Sequence, residues 1–570
     1  MAGLIMTDIK NTICKAVLDF LKENGAESDE SFVLSLFETP ADPSKGDLAL
    51  PCFRLSRLLH KAPALISKDL ESVVSKIPNV GKAESVNGYL NFFFDSSRYT
   101  EEVKNMLNDG FSSVTDTGKG KTVVLDFSSP NIAKRFHLGH LGSTVIGNSI
   151  RNIYKFLGYK TVAVNHLGDW GTQFGKLIVA YKKWSSEERV RERGIDELVD
   201  LYVKFCDLEK NDEKLAAEAR AAFAELENGN EDYLSIWRTF KEISLKEYNK
   251  TYDLLGVKFD SWNGEAFYTD KMPAVVEELK EKKLLKKDEG AEIVDLSDYN
   301  MPPALILKSD GSTLYPTRDI AAAMWRKKEY NFDKCIYVTS AGQSLHFAQW
   351  FKVVELMGYD WAKDLVHVPY GTMSINGEKL ASRTGNIVLL DDLLEKAIEK
   401  CGKIIDEKNS QLKDRDKVAR DVGVGAVIFS ALANSRIKDK DFVWEEALSF
   451  EGNTGPYVQY TYARCASVLR KDSRKADYSD YKPLPDETAL IRKMSEFPET
   501  VLRAAEEYEP SHISRYAIAL CSVFNQFYHN CRIIGAGGST EDFRLALTEC
   551  ARNVLGKCLD LLGMARTEEI

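Results

Sequence analysis

The stretch TVVLDFSSPNIAKRFHLGH, residues 122–140, decides how this chain is read. It opens as a short apolar run stopped by Ser-Ser-Pro, the profile of a buried parallel strand. From Gly139 to Leu157 the apolar positions Leu141, Val145, Ile150, Ile153 and Leu157 recur at helical spacing. A second apolar run, TVAVNHLGD (161–169), follows, so strand, helix and strand form a βαβ unit. Further strands are expected at CIYVTSAG (335–342) and VHVPYG (366–371). The economical architecture is α/β, a Rossmann-type doubly wound parallel sheet.

On either side the pattern changes. The first 115 residues read as a small α/β module: a helix from Ile9 to Leu21, a turn-rich ADPSKGDLALP, a helix through LSRLLHKAPALISKDLESVVSKI, and the strand-like GYLNFFFD. A Gly-, Thr- and Lys-rich linker near Thr115–Lys121 leads into the Rossmann-type domain at 116–390. Its sheet pattern is interrupted by a charged helical insertion at about 176–262. From Asp391 onward the chain reads as almost wholly helical, with a connecting segment at 391–445 and a bundle at 446–570. Two loops, DYSDYKPLPDE and IIGAGGSTED, break that part, and no internal repeat is evident.

Composition narrows the class. An apolar fraction of 44% with 28% charged residues excludes a disordered chain, and no apolar run approaches a membrane span. The start, MAGLIMTDIKNTICK, has neither a secretory nor a transit character, which makes the cytoplasm the expected compartment. Ten cysteines without a CxxC pair support neither a zinc site nor a disulfide framework. The net charge of −10 argues against a general nucleic-acid binder while leaving room for a local basic track.

The chemistry concentrates where the strand ends and the helix begins, the place where an open α/β sheet binds ligands. A helix N-terminus offers free amides to an anion. The glycine between His137 and His140 removes a side chain, so a flat base can lie on the backbone, and the histidines can donate to phosphate oxygens as charge builds there. After the Ser309-Asp310-Gly311 turn, Tyr315 and Asp319 stand four apart on one helical face, a phenol and a carboxylate on one wall of a pocket. A planar guanidinium with five donors calls for such a carboxylate.

Taken together, SSPNIAKRFHLGH and NHLGDWGTQFG (165–175) resemble the arginyl-tRNA synthetases of class I. HLGH at 137–140 matches the class HIGH motif, and YPTRDIAAA (315–323), GQSLHFAQ (342–349) and FNQFYHNCRI (524–533) extend the likeness over nearly the whole chain. DPSKGDLA and GYLNFFF fit the extra N-terminal domain of that family, which contacts tRNA. The resemblance implies ATP-dependent attachment of L-arginine to tRNA(Arg) through an arginyl-adenylate, with tRNA bound before the adenylate forms. It further implies Tyr315, Asp319 and Gln343 as arginine-binding residues, Asn131 and His140 at the α-amino and carboxylate end, and Ser129 and Pro130 beside them. Asp126 and Glu265 are further acidic candidates. ATP is expected on Pro130, His137, Gly139, His140, Lys379 and Ser382, with Mg²⁺ accompanying it and no metal bound by the protein itself.

GEKLASRTGN (377–386) stands in the place of the class KMSKS loop. Lys379 matches the first lysine, but Ser382 replaces the second, so Arg383, Lys134 or Arg135 is expected to supply the missing charge. In EGNTGPYVQYTYAR (451–464), Tyr457, Tyr460 and Arg464 suit unstacked RNA bases and phosphate; in the family this bundle reads the anticodon. The expected species is a monomer with no membrane partner. Two rival readings stay open on the residues alone. One is another nucleotidyl-transfer enzyme with an HxGH turn, which gives no reason for a large helical C-terminal part. The other is a non-catalytic RNA-binding relative, suggested by Ser382 but opposed by the intact HLGH.

Overall fold

The computed structural model describes every residue except 1–4, 39, 41, 43–44, 78–79, 310, 376–377, 380–387 and 473–477. At its centre four parallel strands lie in the order Leu365–Tyr370, Lys334–Ser340, Thr122–Asp126, Lys160–Val164. From Thr122–Asp126 the chain runs through the helix Gly139–Phe156 to the neighbour on one side. It returns later to the neighbour on the other side, so the connections diverge at the carboxyl end of Thr122–Asp126. That divergence opens a crevice beyond Asp126.

The strand is apolar along its length because both its faces are covered. Val123 and Leu125 join a core shared with the helix Gly139–Phe156 and the C-terminal bundle. Val124 joins a second core with the helices Met272–Glu281, Tyr315–Tyr330 and Ser344–Leu356. The insertion forms the helices Thr172–Trp184, Glu187–Arg193, Ile195–Glu209, Glu213–Glu227 and Glu231–Leu255. Ser186, Asp212 and Asn230 cap three of them by accepting from backbone N–H groups. The last, 25 residues long, returns to the sheet with Tyr248 and Tyr252 buried.

Several elements differ from the sequence reading. The helix expected through 55–77 is two helices, Leu55–Leu59 and Pro63–Val74. Pro63 forces Ala62 out of helical conformation (ψ 137°), and His60 ends the first helix in the left-handed region. Part of the turn-rich segment is a strand, Leu48–Pro51, in an antiparallel sheet with Tyr89–Phe94 and Val80–Val86. A second antiparallel sheet, Leu285–Asp288, Ala291–Val294 and Ala304–Leu307, follows the insertion. The part after Asp391 also carries a strand, Lys440–Phe442, which pairs in parallel with Met373–Ile375. Leu48–Pro51 and Lys440–Phe442 are too short, Leu285–Asp288 too exposed, and Val80–Val86 too irregular in register to show period-2 alternation.

Residues from Ile9 to Phe94 have a core of their own, whereas Tyr99, Val103 and Met106 belong to the large one. The bundle is fastened to the sheet layer by Ser149 Oγ donating to the Leu561 carbonyl (2.8 Å) and Tyr154 OH to the Ala505 carbonyl (3.1 Å). All ten cysteines are free thiols, buried apart from the half-buried Cys206. Among the described residues no helix is long and apolar enough to cross a membrane.

Candidate active site

Beyond Asp126 the backbone turns through three non-glycine residues in the left-handed region, Ser128 (φ 70°), Ser129 (φ 48°) and Ala133 (φ 59°). Such residues cost about 1–3 kcal/mol each and persist only when their surroundings hold them. Here the holders are specific. Ser128 N–H donates to Ser143 Oγ (2.8 Å), and its hydroxyl meets those of Thr144 (2.8 Å) and Tyr252 (2.7 Å). Ser129 Oγ donates to Asp126 Oδ1 (2.8 Å), and Ala133 N–H to Ser244 Oγ (2.9 Å). Tyr248 OH donates to the carbonyls of Asn131 (2.7 Å) and Lys134 (2.6 Å). Three of these holders, Ser244, Tyr248 and Tyr252, lie on the returning insertion helix.

At the HLGH turn, Gly139 N–H donates to Nδ1 of His137 (3.1 Å), which leaves the ring proton on Nε2. A Cβ on Gly139 would stand 2.9 Å from that ring. Burial, with Lys134 nearby, lowers the His137 pKa. Burial pushes His140 down to about 3, and its ring stacks on Phe136 at 4.9 Å. Both rings are therefore neutral donors at neutral pH. Lys134 is exposed beside them, whereas Arg135 is tied to Asp196 of the insertion (2.5 Å).

The strand Glu378–Lys379 pairs with Met373–Ile375 where the chain enters the KMSKS-like segment. Where it leaves, Leu138 N–H donates to the Val388 carbonyl (3.1 Å) and Leu390 N–H to that of Phe136 (3.0 Å). The exit of the segment is thus clamped to the HLGH turn. Ser382 and Arg383 lie outside the described residues, as does the side chain of Lys379.

A cavity of about 440 Å³ opens beyond the carboxyl end of the strand Thr122–Asp126. Of the nine residues expected around arginine, Asp126, Ser129, Asn131, Glu265, Tyr315, Asp319 and Gln343 line it, while Pro130 and His140 do not. Tyr315, Asp319, Ala322 and Arg326 face it from one side of the helix Tyr315–Tyr330. Pro316 starts that helix, and Thr317 Oγ1 anchors it to the Ile306 carbonyl (2.8 Å). Across the cavity, Ile132 N–H donates to the Gly168 carbonyl (3.2 Å) and Gly168 N–H to that of Pro130 (3.1 Å). A Cβ on Gly168 would fall 1.8 Å from Asn131 Oδ1, so a larger residue here displaces the Asn131 side chain. The next residue, buried Asp169, accepts from Ala266 N–H and from Lys241 (2.8 Å each). That fixes the segment carrying Glu265.

Sequence reading did not single out the partners of these carboxylates. Asp126 pairs with the buried Arg326 (2.8 Å), whose guanidinium also donates to His166 Nδ1 (3.2 Å). Glu265 pairs with Arg318 (2.9 Å), yet burial pushes its carboxyl up to about 7 against that attraction. Asp319 pairs with His346 Nε2 (2.6 Å). Two signals were available: Arg326 stands seven residues after Asp319 on the same helical face, and His346 lies inside GQSLHFAQ.

On the helix Gly455–Lys471, Tyr457, Tyr460 and Arg464 line a second cavity of about 460 Å³. The Arg464 guanidinium lies over Tyr460 (5.0 Å) and over Tyr528 (5.1 Å), both partly exposed. Asn525 donates to Tyr457 OH (2.9 Å) and accepts from Arg464. Tyr528, within FNQFYHNCRI, was not anticipated as a member of this group.

Three family models match the chain. Residues 102–444 match the catalytic domain of class I (R) tRNA synthetases, 458–570 the DALR anticodon binding domain, and 5–94 the arginyl tRNA synthetase N-terminal domain. The arginine–tRNA ligase of Halothermothrix orenii is 46% identical over 570 residues, covering 99% of this chain and 100% of that one. That of Clostridioides difficile is 47% identical over 560 residues, covering 97% and 99%. Among solved structures, Thermus thermophilus arginyl-tRNA synthetase superposes with a TM-score of 0.82 at 24% identity, covering 98% and 100%. The Plasmodium falciparum arginyl-tRNA synthetase superposes with 0.80 at 25% identity, covering 100% and 99%.

Proposed function

Because the chain belongs to the arginyl-tRNA synthetases of class I, we propose that the cavity beyond Asp126 reads the arginine side chain and that the HLGH turn beside it receives the ATP phosphates. The reaction attaches L-arginine to tRNA(Arg): the arginine carboxylate attacks the α-phosphorus of ATP, pyrophosphate leaves, and the terminal ribose of the tRNA takes the arginyl group from AMP. ATP enters as its Mg²⁺ complex, with the ion on phosphate oxygens.

In this reading Asp319 is the counter-ion of the substrate guanidinium, with Tyr315 and Gln343 beside it and Ser129, Pro130 and Asn131 toward the α-amino end. Asp126 and Glu265 act chiefly through the arginines they already hold. Pro130, Gly139 and the neutral rings of His137 and His140 meet the nucleotide. Negative charge grows on the phosphates during attack, and Lys134, Lys379 and Arg383, with Ser382 as a hydroxyl donor, stabilise it there. Preorganised donors of this kind accelerate the step because they need not reorient as it proceeds.

Tyr457, Tyr460 and Arg464 stack on anticodon bases, and the module ahead of the catalytic sheet contacts the body of the tRNA. A monomer suffices, since one copy supplies every residue named. Ten free thiols suit the reducing cytoplasm.

The observation that carries this reading is the convergence of Tyr315, Asp319, Gln343, Asn131 and Ser129 on one cavity. Charging assays with arginine, lysine and citrulline test it. Citrulline has the shape of arginine without its charge, so it offers Asp319 no cation and should charge at least ~10²-fold less efficiently. Comparable charging of citrulline would remove Asp319 from this role, and comparable charging of lysine would show that the cavity reads charge without reading the guanidinium fork.

A further inference from the structure

Arg326 is 1% exposed, so its guanidinium is held inside the protein at the wall of the cavity. Nη2 donates to Asp126 Oδ2 (2.8 Å) and to His166 Nδ1 (3.2 Å). Burial lowers the pKa of His166, so its neutral ring accepts at Nδ1. Nε and Nη1, buried beside the rings of Tyr268 and Tyr337, have no hydrogen-bond partner among the described residues. A buried guanidinium that leaves two nitrogens unmet adds little to the stability of the fold. What it does is hold one carboxylate in place.

The two oxygens of that carboxylate have different partners. Oδ2 takes Arg326, and Oδ1 accepts from Ser129 Oγ (2.8 Å), which lines the cavity. A hydroxyl carries a single proton and two lone pairs. With its proton given to Asp126, Ser129 Oγ presents only lone pairs to the cavity. An α-ammonium has three donors and no acceptor, so it needs a neighbour of this kind. A Ser129 hydroxyl free to turn would present its proton as readily.

We infer that Arg326 is a positioning residue for the α-amino end of arginine: by holding Asp126 Oδ2 it fixes the Ser129 hydroxyl as an acceptor for the substrate ammonium. The inference rests on the proposed reading that Ser129 lies at that end. The helix Tyr315–Tyr330 then serves both ends of the substrate. Asp319 meets the guanidinium directly. Arg326, seven residues on along the same face, acts on the ammonium through Asp126 and Ser129. Its permanent charge also balances Asp126, so that carboxylate does not compete with Asp319 for the substrate guanidinium.

The probe is δ-guanidinovalerate, which keeps the guanidinium and carboxylate of arginine and lacks the α-amino group. Its Ki as a competitive inhibitor of charging is compared with the arginine KM of the full-length enzyme at saturating ATP, Mg²⁺ and tRNA. In R326M the arginine KM should rise at least ~10-fold, while the Ki of the analogue and the ATP KM stay within ~2-fold of the parent. A general disturbance of the cavity would move KM and Ki together. The double variant D126N/R326M removes the unpaired buried charge, so it serves where R326M fails to fold. It should show the same split, because an amide with no cation behind it does not fix Ser129 as an acceptor. S129A tests the underlying reading and should raise the arginine KM without moving the Ki. If S129A leaves both unchanged, the placement of Ser129 at the α-amino end falls first. If S129A shows the split, and R326M and the double variant move KM and Ki together or move neither, the inference about Arg326 is overturned.

Discussion

Asp47 of the N-terminal module and Arg492 of the helix Pro485–Ser495 form an ion pair across 445 residues of sequence. Asp47 is 5% exposed, accepts from Phe94 N–H (2.6 Å) and from Tyr99 OH, and so joins its own module to the C-terminal bundle. The N-terminal module and the C-terminal bundle are thereby held in one frame.

Replacing Asp47 by Asn leaves Arg492 buried without its counter-ion. Breaking such a pair costs about 3–5 kcal/mol. The expected outcome is a lower Tm and a raised tRNA KM, with the arginine and ATP KM nearly unchanged. Parental values for both Tm and tRNA KM would show that the pair does not hold the module in place.

Gly168→Ala places a Cβ inside the volume of Asn131 Oδ1. The Asn131 side chain has to move, and a displacement of about 1 Å at a reacting centre can cost ~10²-fold in rate. kcat/KM for arginine should fall by that order, and Asn131→Ala in the same chain should not restore it, because Asn131 is itself assigned to the substrate. A G168A enzyme with parental kcat/KM would place Asn131 away from arginine.

His140→Ala removes the neutral ring that the proposed function places on the phosphates. Loss of one such donor costs about 3–4 kcal/mol, on the order of a hundredfold or more in aminoacylation rate. Since burial pushes His140 down to about 3, its protonation produces no acid limb in the pH profile between 5 and 8. A variant within about twofold of the parent excludes the role.

Much of this was legible in the chain because local rules and the fold agreed. The alternating runs around residues 122–140 predicted the parallel sheet and its crevice, and helical spacing put Tyr315 and Asp319 on one wall. What was not legible depends on contacts between distant segments. Arg326, Arg318 and His346 are ordinary helix residues in sequence, and they become partners of Asp126, Glu265 and Asp319 only once three elements meet at one cavity. The strand Lys440–Phe442 is three residues long and exists because Met373–Ile375 offers it an edge. Propensity over three residues carries no such information.

The clamp between Leu138 and Val388 ties the KMSKS-like segment to the HLGH turn. In the proposed reading, cations on that segment act on the phosphates at the transition state, where they change kcat more than binding. Lys379→Ala and Arg383→Ala should each lower single-turnover kcat, and their effects should be non-additive because Lys134 and the remaining cation partly cover the loss. Ser382→Lys should be neutral or mildly helpful. If both single variants keep the parental kcat, the charge comes from elsewhere.

The central claim is that Asp319 supplies the charge that selects arginine, and Asp319→Asn tests it most directly, since shape is kept and charge alone is lost. Removing one partner of a desolvated charge pair costs roughly 2–5 kcal/mol. At saturating tRNA, the arginine KM of Asp319→Asn should rise on the order of thirtyfold or more, while the ATP KM stays within about twofold. Equal rises in both KM values, or no rise in the arginine KM, would contradict the account.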